Sequence, residues 1–155
     1  MQKTNAIRIL EKENIPHSIH TYDVDESDLS GIIVANKIGA EPERVFKTLV
    51  TRGDKTGITV FCIPVTEELN LKKAAVASGN KKIEMIKEKE LLPLTGYVKG
   101  GCSPIGMKKK FPTYIDETAL LFDEIFVSAG VRGMQVRLKP EDLKNLTSGV
   151  LSALF

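Results

Sequence analysis

VFKTLVTRGDKTGITVFCIPV, residues 45–65, sets the architecture. Two runs rich in β-branched and aromatic residues, Val45–Thr51 and Gly57–Val65, flank the polar connector RGDKT, which has the length and composition of a hairpin turn. In the first run Val45, Lys47, Leu49 and Thr51 share one face, and Phe46, Thr48 and Val50 the other. Both faces are mostly apolar, which predicts a strand covered on both sides. Lys47 then stands among aliphatics, and a lysine is almost never fully buried without a partner. Its ammonium either guards a sheet edge, snorkels to water, or reaches a ligand in a cleft.

Outward from this hairpin, helices and strands alternate. Apolar positions at Ala6, Ile7, Ile9 and Leu10 predict a short amphipathic helix over Thr4–Asn14, stopped by Pro16. His17–Tyr22 alternates as a strand. Helices are expected at Leu29–Ile38, with Gly39 as the stop, and at Asn70–Ser78, ended by Gly79. Lys82–Ile86 reads as a strand and Glu88–Leu92 as a helical turn. Thr113–Ile115, Glu124–Ser128 and Met134–Lys139 are further strands, and Pro140–Leu146 closes as a helix with proline in its first turn. The interleaving lacks strict βαβ spacing, so the fold class is mixed α/β (α+β) around a curved sheet, as one domain over residues 1–155.

The composition agrees. With 42% hydrophobic and 27% charged residues among 155, the chain has too many aliphatics to be disordered. Its net charge of +2 is too small for a general nucleic-acid coat, so any basic function must come from local clustering. Cys62 and Cys102 match no metal spacing, and with only His17 and His20 beside them neither a metal site nor a cofactor is expected. The amphipathic, mixed-charge N-terminus does not read as a signal peptide, and no apolar run approaches the roughly 20 residues that span a bilayer. A reducing cytoplasm and no membrane partner are the expectation.

TGYVKGGCSPIGMKKK, residues 95–110, looks like a site. A short apolar strand is expected to run into a glycine-proline loop. Gly100 and Gly101 allow close approach to a ligand, Pro104 stiffens the turn, and Lys108, Lys109 and Lys110 suit a phosphate-bearing partner. Cys102 is either a nucleophile or a small packing residue; the sequence offers it no neighbouring base. Tyr22 either presents its hydroxyl to a pocket or caps the core. FVSAGVRGMQV, residues 126–136, repeats the theme of strand, small residues, arginine-glycine and strand, which also suits a tight hairpin.

Taken together, HTYD (His20–Asp23), VFKTLV (Val45–Val50), LNLKKAA (Leu69–Ala75), KKIEM (Lys81–Met85), the glycine-proline loop and IFVSAGVRG (Ile125–Gly133) resemble, in order, the YbaK family. Its members are free-standing aminoacyl-tRNA deacylases similar to the editing domain of bacterial prolyl-tRNA synthetase. The resemblance spans about Ala6 to Leu146. It implies a barrel-like curved mixed sheet surrounded by helices, and trans-editing of mischarged tRNA, chiefly Cys-tRNA(Pro), alongside prolyl-tRNA synthetase. It makes Lys47, Gly100 and Gly101 the catalytic positions. Tyr22, Ser103, Pro104, Ser128, Gly130 and Arg132 fall on substrate-binding positions, and Lys108–Lys110 are placed to meet tRNA.

The family's chemistry needs no protein nucleophile: the thiol of the bound cysteine attacks its own ester. An alanine-type editor using water, or a non-catalytic binder of the tRNA 3′ end or of a synthetase, are the alternatives. The chain departs from the pattern at Leu29–Ser30, where a phenylalanine is usual, and at Ala129 and Val131, which replace a glycine and a lysine. Gln135 stands where relatives carry an acid or a small polar residue. These departures bear on which amino acid is removed.

Overall fold

The computed structural model describes residues 3–155. Helices α1 (Asn5–Lys12), α2 (Gly31–Ile38), α3 (Leu71–Ser78), α4 (Glu88–Thr95) and α5 (Pro140–Thr147) are interleaved with strands β1 (Ser18–Thr21), β2 (Phe46–Gly53), β3 (Gly57–Pro64), β4 (Ile83–Met85), β5 (Thr113–Asp116), β6 (Ile125–Ser128), β7 (Met134–Leu138) and β8 (Val150–Ser152). The hairpin read from residues 45–65 is the β2–β3 pair, antiparallel from Phe46–Pro64 to Gly53–Gly57. Three of the five helices start at a side-chain cap. Thr4 accepts from Ile7 N, Ser30 from Ile33 N, and Asn70 from Lys72 N and Lys73 N.

The strands form two ladders. One has the order β4–β2–β3–β5–β8, with β5 parallel to both neighbours; the other is the antiparallel set β1–β7–β6. A parallel bridge from Val45 to Phe126 joins them, so the curvature expected of one sheet is carried by two ladders meeting along β2 and β6. Between them lies the main core. Phe46, Val50, Val60 and Cys62 of β2 and β3 pack with Ile125, Val127, Val136 and Leu138 of β6 and β7 and with Ala6, Ile7 and Leu10 of α1. Leu49, on the other face of β2, packs with Phe61, Ile63, Ala74 and Ala75, so this strand is covered on both sides.

Three features differ from the sequence reading. Val150–Ser152 is a strand, recruited as a parallel edge beside β5. Pro42–Arg44 and Glu117–Leu121 are 3₁₀ turns. The short strand expected before the glycine loop does not form. Instead α4 runs on to Thr95 and Gly96 ends it at φ 87°, after which Tyr97–Val98 are irregular backbone without a ladder partner. Tyr97 is held by its side chain, not by sheet pairing: it is buried, and its hydroxyl donates to Ile105 O at 2.6 Å. Among the described residues, no helix is long and apolar enough to cross a membrane.

Candidate functional site

The start of α2, strand β2, the Gly100–Cys102 segment and the β6–β7 ladder enclose a cleft of about 330 Å³. Lys47 and Thr48 line it from β2, Gly100 and Cys102 from the loop, and Ser128 and Gln135 from the ladder, where the last two are cross-strand partners. Lys47 is half-buried. Burial pushes its ammonium below the usual lysine value, while Glu68 and then Glu67 pull it partly back. Gln135 is only 6% exposed, and its Oε1 has no hydrogen-bond partner among the described residues; nor has the buried Thr48 Oγ1. A buried acceptor without a donor is costly, so Gln135 is a group waiting for a partner.

The loop is shaped by contacts at its ends. Gly100 has φ 83°, and neither its N–H nor that of Cys102 donates to any described residue. Gly101 is different. Its N–H donates to Val98 O at 2.9 Å, and a Cβ there would lie 2.9 Å from Arg132 N. Of the two glycines that the resemblance makes catalytic positions, Gly101 lets two loops touch and Gly100 lies on the cleft wall.

Two anchors hold these loops together. Arg132 donates Nε–H to Lys99 O at 2.7 Å and Nη1 to Glu26 Oε2 at 2.6 Å. The start of α1 supplies the second, with Thr4 Oγ1 donating to Ala129 O and Asn5 Nδ2 to Gly106 O. Neither Thr4 nor Asn5 carries any sequence signal of this role beyond helix capping. Thr95 and Tyr97 lie within the loop motif, but their tethering of it is visible only in three dimensions.

The remaining residues singled out from the sequence fall in several places. Arg132 has its guanidinium engaged by the contacts above, so it braces the loop instead of reaching into the cleft. Ser103 is fully buried and its Oγ accepts from Ile105 N; Pro104 faces a separate groove. Gly130, at φ 103°, makes room for the Tyr97 ring. These three lie off the cleft wall: Ser103 and Gly130 are taken up by contacts with Ile105 and Tyr97, and Pro104 lines the other groove. Tyr22 lines a small depression that shares Leu29 and Gly100, and so adjoins the cleft without entering it. Lys108, Lys109 and Lys110 are exposed. Lys109 and Lys110 line the Pro104 groove, which shares no residue with the cleft.

Among the described residues, no histidine, aspartate or glutamate lines the cleft. Its one thiol, Cys102, is pushed by burial to a pKa of about 12, which leaves it protonated and a poor nucleophile. His17 Nδ1 contacts Ile15 O, and His20 Nε2 contacts Ser18 Oγ with its ring edge-on to Phe126. Among the described residues the cleft therefore offers one lysine, the backbone of Gly100 and Cys102 and neutral polar groups, a set that can orient and polarise an anionic or ester-bearing ligand.

Residues 33–146 match the family model described as aminoacyl-tRNA editing domain. The chain is 53% identical over 148 residues, 96% of its length and 90% of the relative's, to a protein of Enterococcus faecalis provisionally named Cys-tRNA(Pro)/Cys-tRNA(Cys) deacylase EbsC. It is 29% identical over 125 residues to a proline–tRNA ligase of Shouchella clausii, of which the match spans 20%. Among solved structures, one described as a provisionally assigned trans-editing enzyme for prolyl-tRNA synthetase superposes with a TM-score of 0.83 at 26% identity, over 99% of this chain and 98% of that one.

Proposed function

The chain belongs to the aminoacyl-tRNA editing domain family, and from that premise we propose that it is a trans-acting deacylase that cleaves the ester of mischarged tRNA, with Cys-tRNA(Pro) its substrate. The observation that carries the mechanistic part is that, among the described residues lining the cleft, no histidine or carboxylate stands beside a hydroxyl or thiol to activate it. Burial holds the Lys47 ammonium below the usual lysine value, and the Cys102 thiol is protonated. The substrate then supplies the nucleophile. Its cysteine sulfur bonds to its own ester carbonyl carbon, the bond from that carbon to the ribose oxygen breaks, and the thiol proton ends on the departing ribose hydroxyl. The cyclic thioester released is opened by water.

The protein's share is position and charge. Lys47 holds a phosphate or ribose oxygen through a charge-assisted bond. The free N–H groups of Gly100 and Cys102 face the ester carbonyl as negative charge gathers on its oxygen. Gln135 offers its unpaired carbonyl to the substrate's ammonium group. Fixing thiol and ester at attack distance accounts for rate without a catalytic base.

Prolyl-tRNA synthetase is the natural partner in this reading, given the kinship with the proline–tRNA ligase and the trans-editing structure. Titrating labelled tRNA with and without the synthetase tests it; equal affinities count against the partnership. The function itself is tested by following ester loss from Cys-tRNA(Pro), Ala-tRNA(Pro) and Pro-tRNA(Pro). Loss of the cysteinyl species alone supports the thiol route. Preference for the alanyl species replaces it with water attack, and no loss from any of the three argues for a binding role.

A further inference from the structure

Behind the Gly100–Cys102 wall lies a second groove of about 330 Å³, which shares Thr48, Gly100 and Cys102 with the cleft. Its own walls are apolar: Val50 of β2, Met85 and Ile86 at the end of β4, and Leu91 of α4. Met85, 49% exposed, lines this groove with its side chain open to solvent. At the rim Lys99 Nζ pairs with Glu88 Oε1 at 3.3 Å, both side chains largely in water.

We propose that this groove receives the adenine of the substrate's terminal nucleoside, so that the two halves of the ester lie on either side of the Gly100–Cys102 segment. The inference rests on the deacylase reading above. An ester has its carbonyl in the middle. If that carbonyl meets the loop backbone, the aminoacyl group and the nucleoside must leave in different directions, and the two depressions share Gly100 and Cys102 of that loop together with Thr48. A purine presents two flat apolar faces, which suit a slot between an aliphatic side chain and a polarizable thioether. The exposed Lys99–Glu88 pair is held weakly, so Lys99 can turn to the adjoining phosphate at little cost. The groove lined by Pro104, Lys109 and Lys110 cannot hold this group, since it shares no residue with the cleft.

The four methionines, Met1, Met85, Met107 and Met134, make the test direct. In protein labelled with ¹³C at the methionine methyls, adenosine 5′-monophosphate is expected to shift the Met85 signal saturably, and ribose 5-phosphate to leave it in place. No shift at millimolar nucleotide, equal shifts with both probes, or a shift confined to Met107 in the other groove would overturn the proposal. Met85→Glu, a change at an exposed side chain, is expected to raise KM for aminoacyl-tRNA by about tenfold with kcat nearly constant. Hydrolysis of cysteine ethyl ester, which has no nucleoside, should stay unchanged; parallel losses on both esters would refute the groove's role. A wild type that shifts at Met85 yet removes no amino acid from any tRNA sinks the deacylase reading and leaves the purine site standing.

Discussion

Arg132 donates its Nε–H to the carbonyl oxygen of Lys99 at 2.7 Å, locking the turn after β6 against the glycine loop that walls the cleft. The same guanidinium reaches Glu26 Oε2 at 2.6 Å, so one side chain joins three segments distant in sequence. A planar fork does this and an ammonium does not. Arg132→Lys is therefore expected to lower stability by about 1–2 kcal/mol in denaturant melts, allowing for the group's partial exposure. It should also reduce kcat/KM on aminoacyl-tRNA more than that loss alone explains, because the loop is no longer pinned. Unchanged kinetics would show that the brace is dispensable.

Lys47→Met separates stability from turnover. The lysine's pKa is lowered chiefly by burial, so keeping it charged opposes folding. The unfolded chain binds this proton more tightly than the folded one. Stability from this group therefore rises with pH between its lowered value and the ordinary 10.5. Methionine removes that penalty at neutral pH. The expected result is a Tm equal to or above wild type, a flatter stability profile on the alkaline side, and kcat/KM down by about a hundredfold or more, as for loss of a charge-assisted contact. A variant that turns over normally would exclude Lys47 from the chemistry.

Cys102→Ala should leave ester hydrolysis within a factor of about two of wild type and cost about 1–2 kcal/mol of stability as a small cavity. The thiol's pKa of about 12 means that iodoacetamide at pH 8 should not label Cys102 in the folded protein. Any thiol-dependent rise in rate with pH then belongs to the substrate and persists in the alanine variant. Abolished hydrolysis with folding intact would overturn the substrate-assisted route.

Gly101→Ala is a packing test. The added methyl would sit 2.9 Å from Arg132 N and 3.0 Å from the Val131 carbonyl carbon, both backbone atoms that cannot swing aside. A loss of about 1–3 kcal/mol is expected, with activity falling as the loops part. Chemical denaturation beside kinetics would check both, and a fully stable variant would contradict the tight loop contact.

Gln135→Met keeps the volume and removes the unpaired carbonyl. Stability should hold or rise, since a buried acceptor without a donor is eliminated. Discrimination between cysteinyl and alanyl tRNA should change. Constant selectivity with both rates unaltered would show that the amide does not face substrate.

Much of this protein was legible in the chain. The alternating apolar faces of Val45–Val65 determined the hairpin and its two-sided cover, because side-chain direction in a strand follows from backbone geometry alone. The helices expected from Thr4, Leu29 and Asn70 start within two residues of those positions, where Thr4, Ser30 and Asn70 cap the unpaired N–H groups of a first turn. Lys47 stood out as a cation on an apolar strand. What tertiary structure alone decided is which polar atoms remain free. Gly100 and Gly101 are identical in sequence terms, yet contact with Arg132 and Val98 engages one and leaves the other on the cleft wall. Arg132 looked like a ligand group and is a brace; Gln135 looked like a deviation and holds an unanswered acceptor. Those roles depend on hydrogen bonds between residues far apart in the chain, and no local pattern can record which of two competing partners a group will meet.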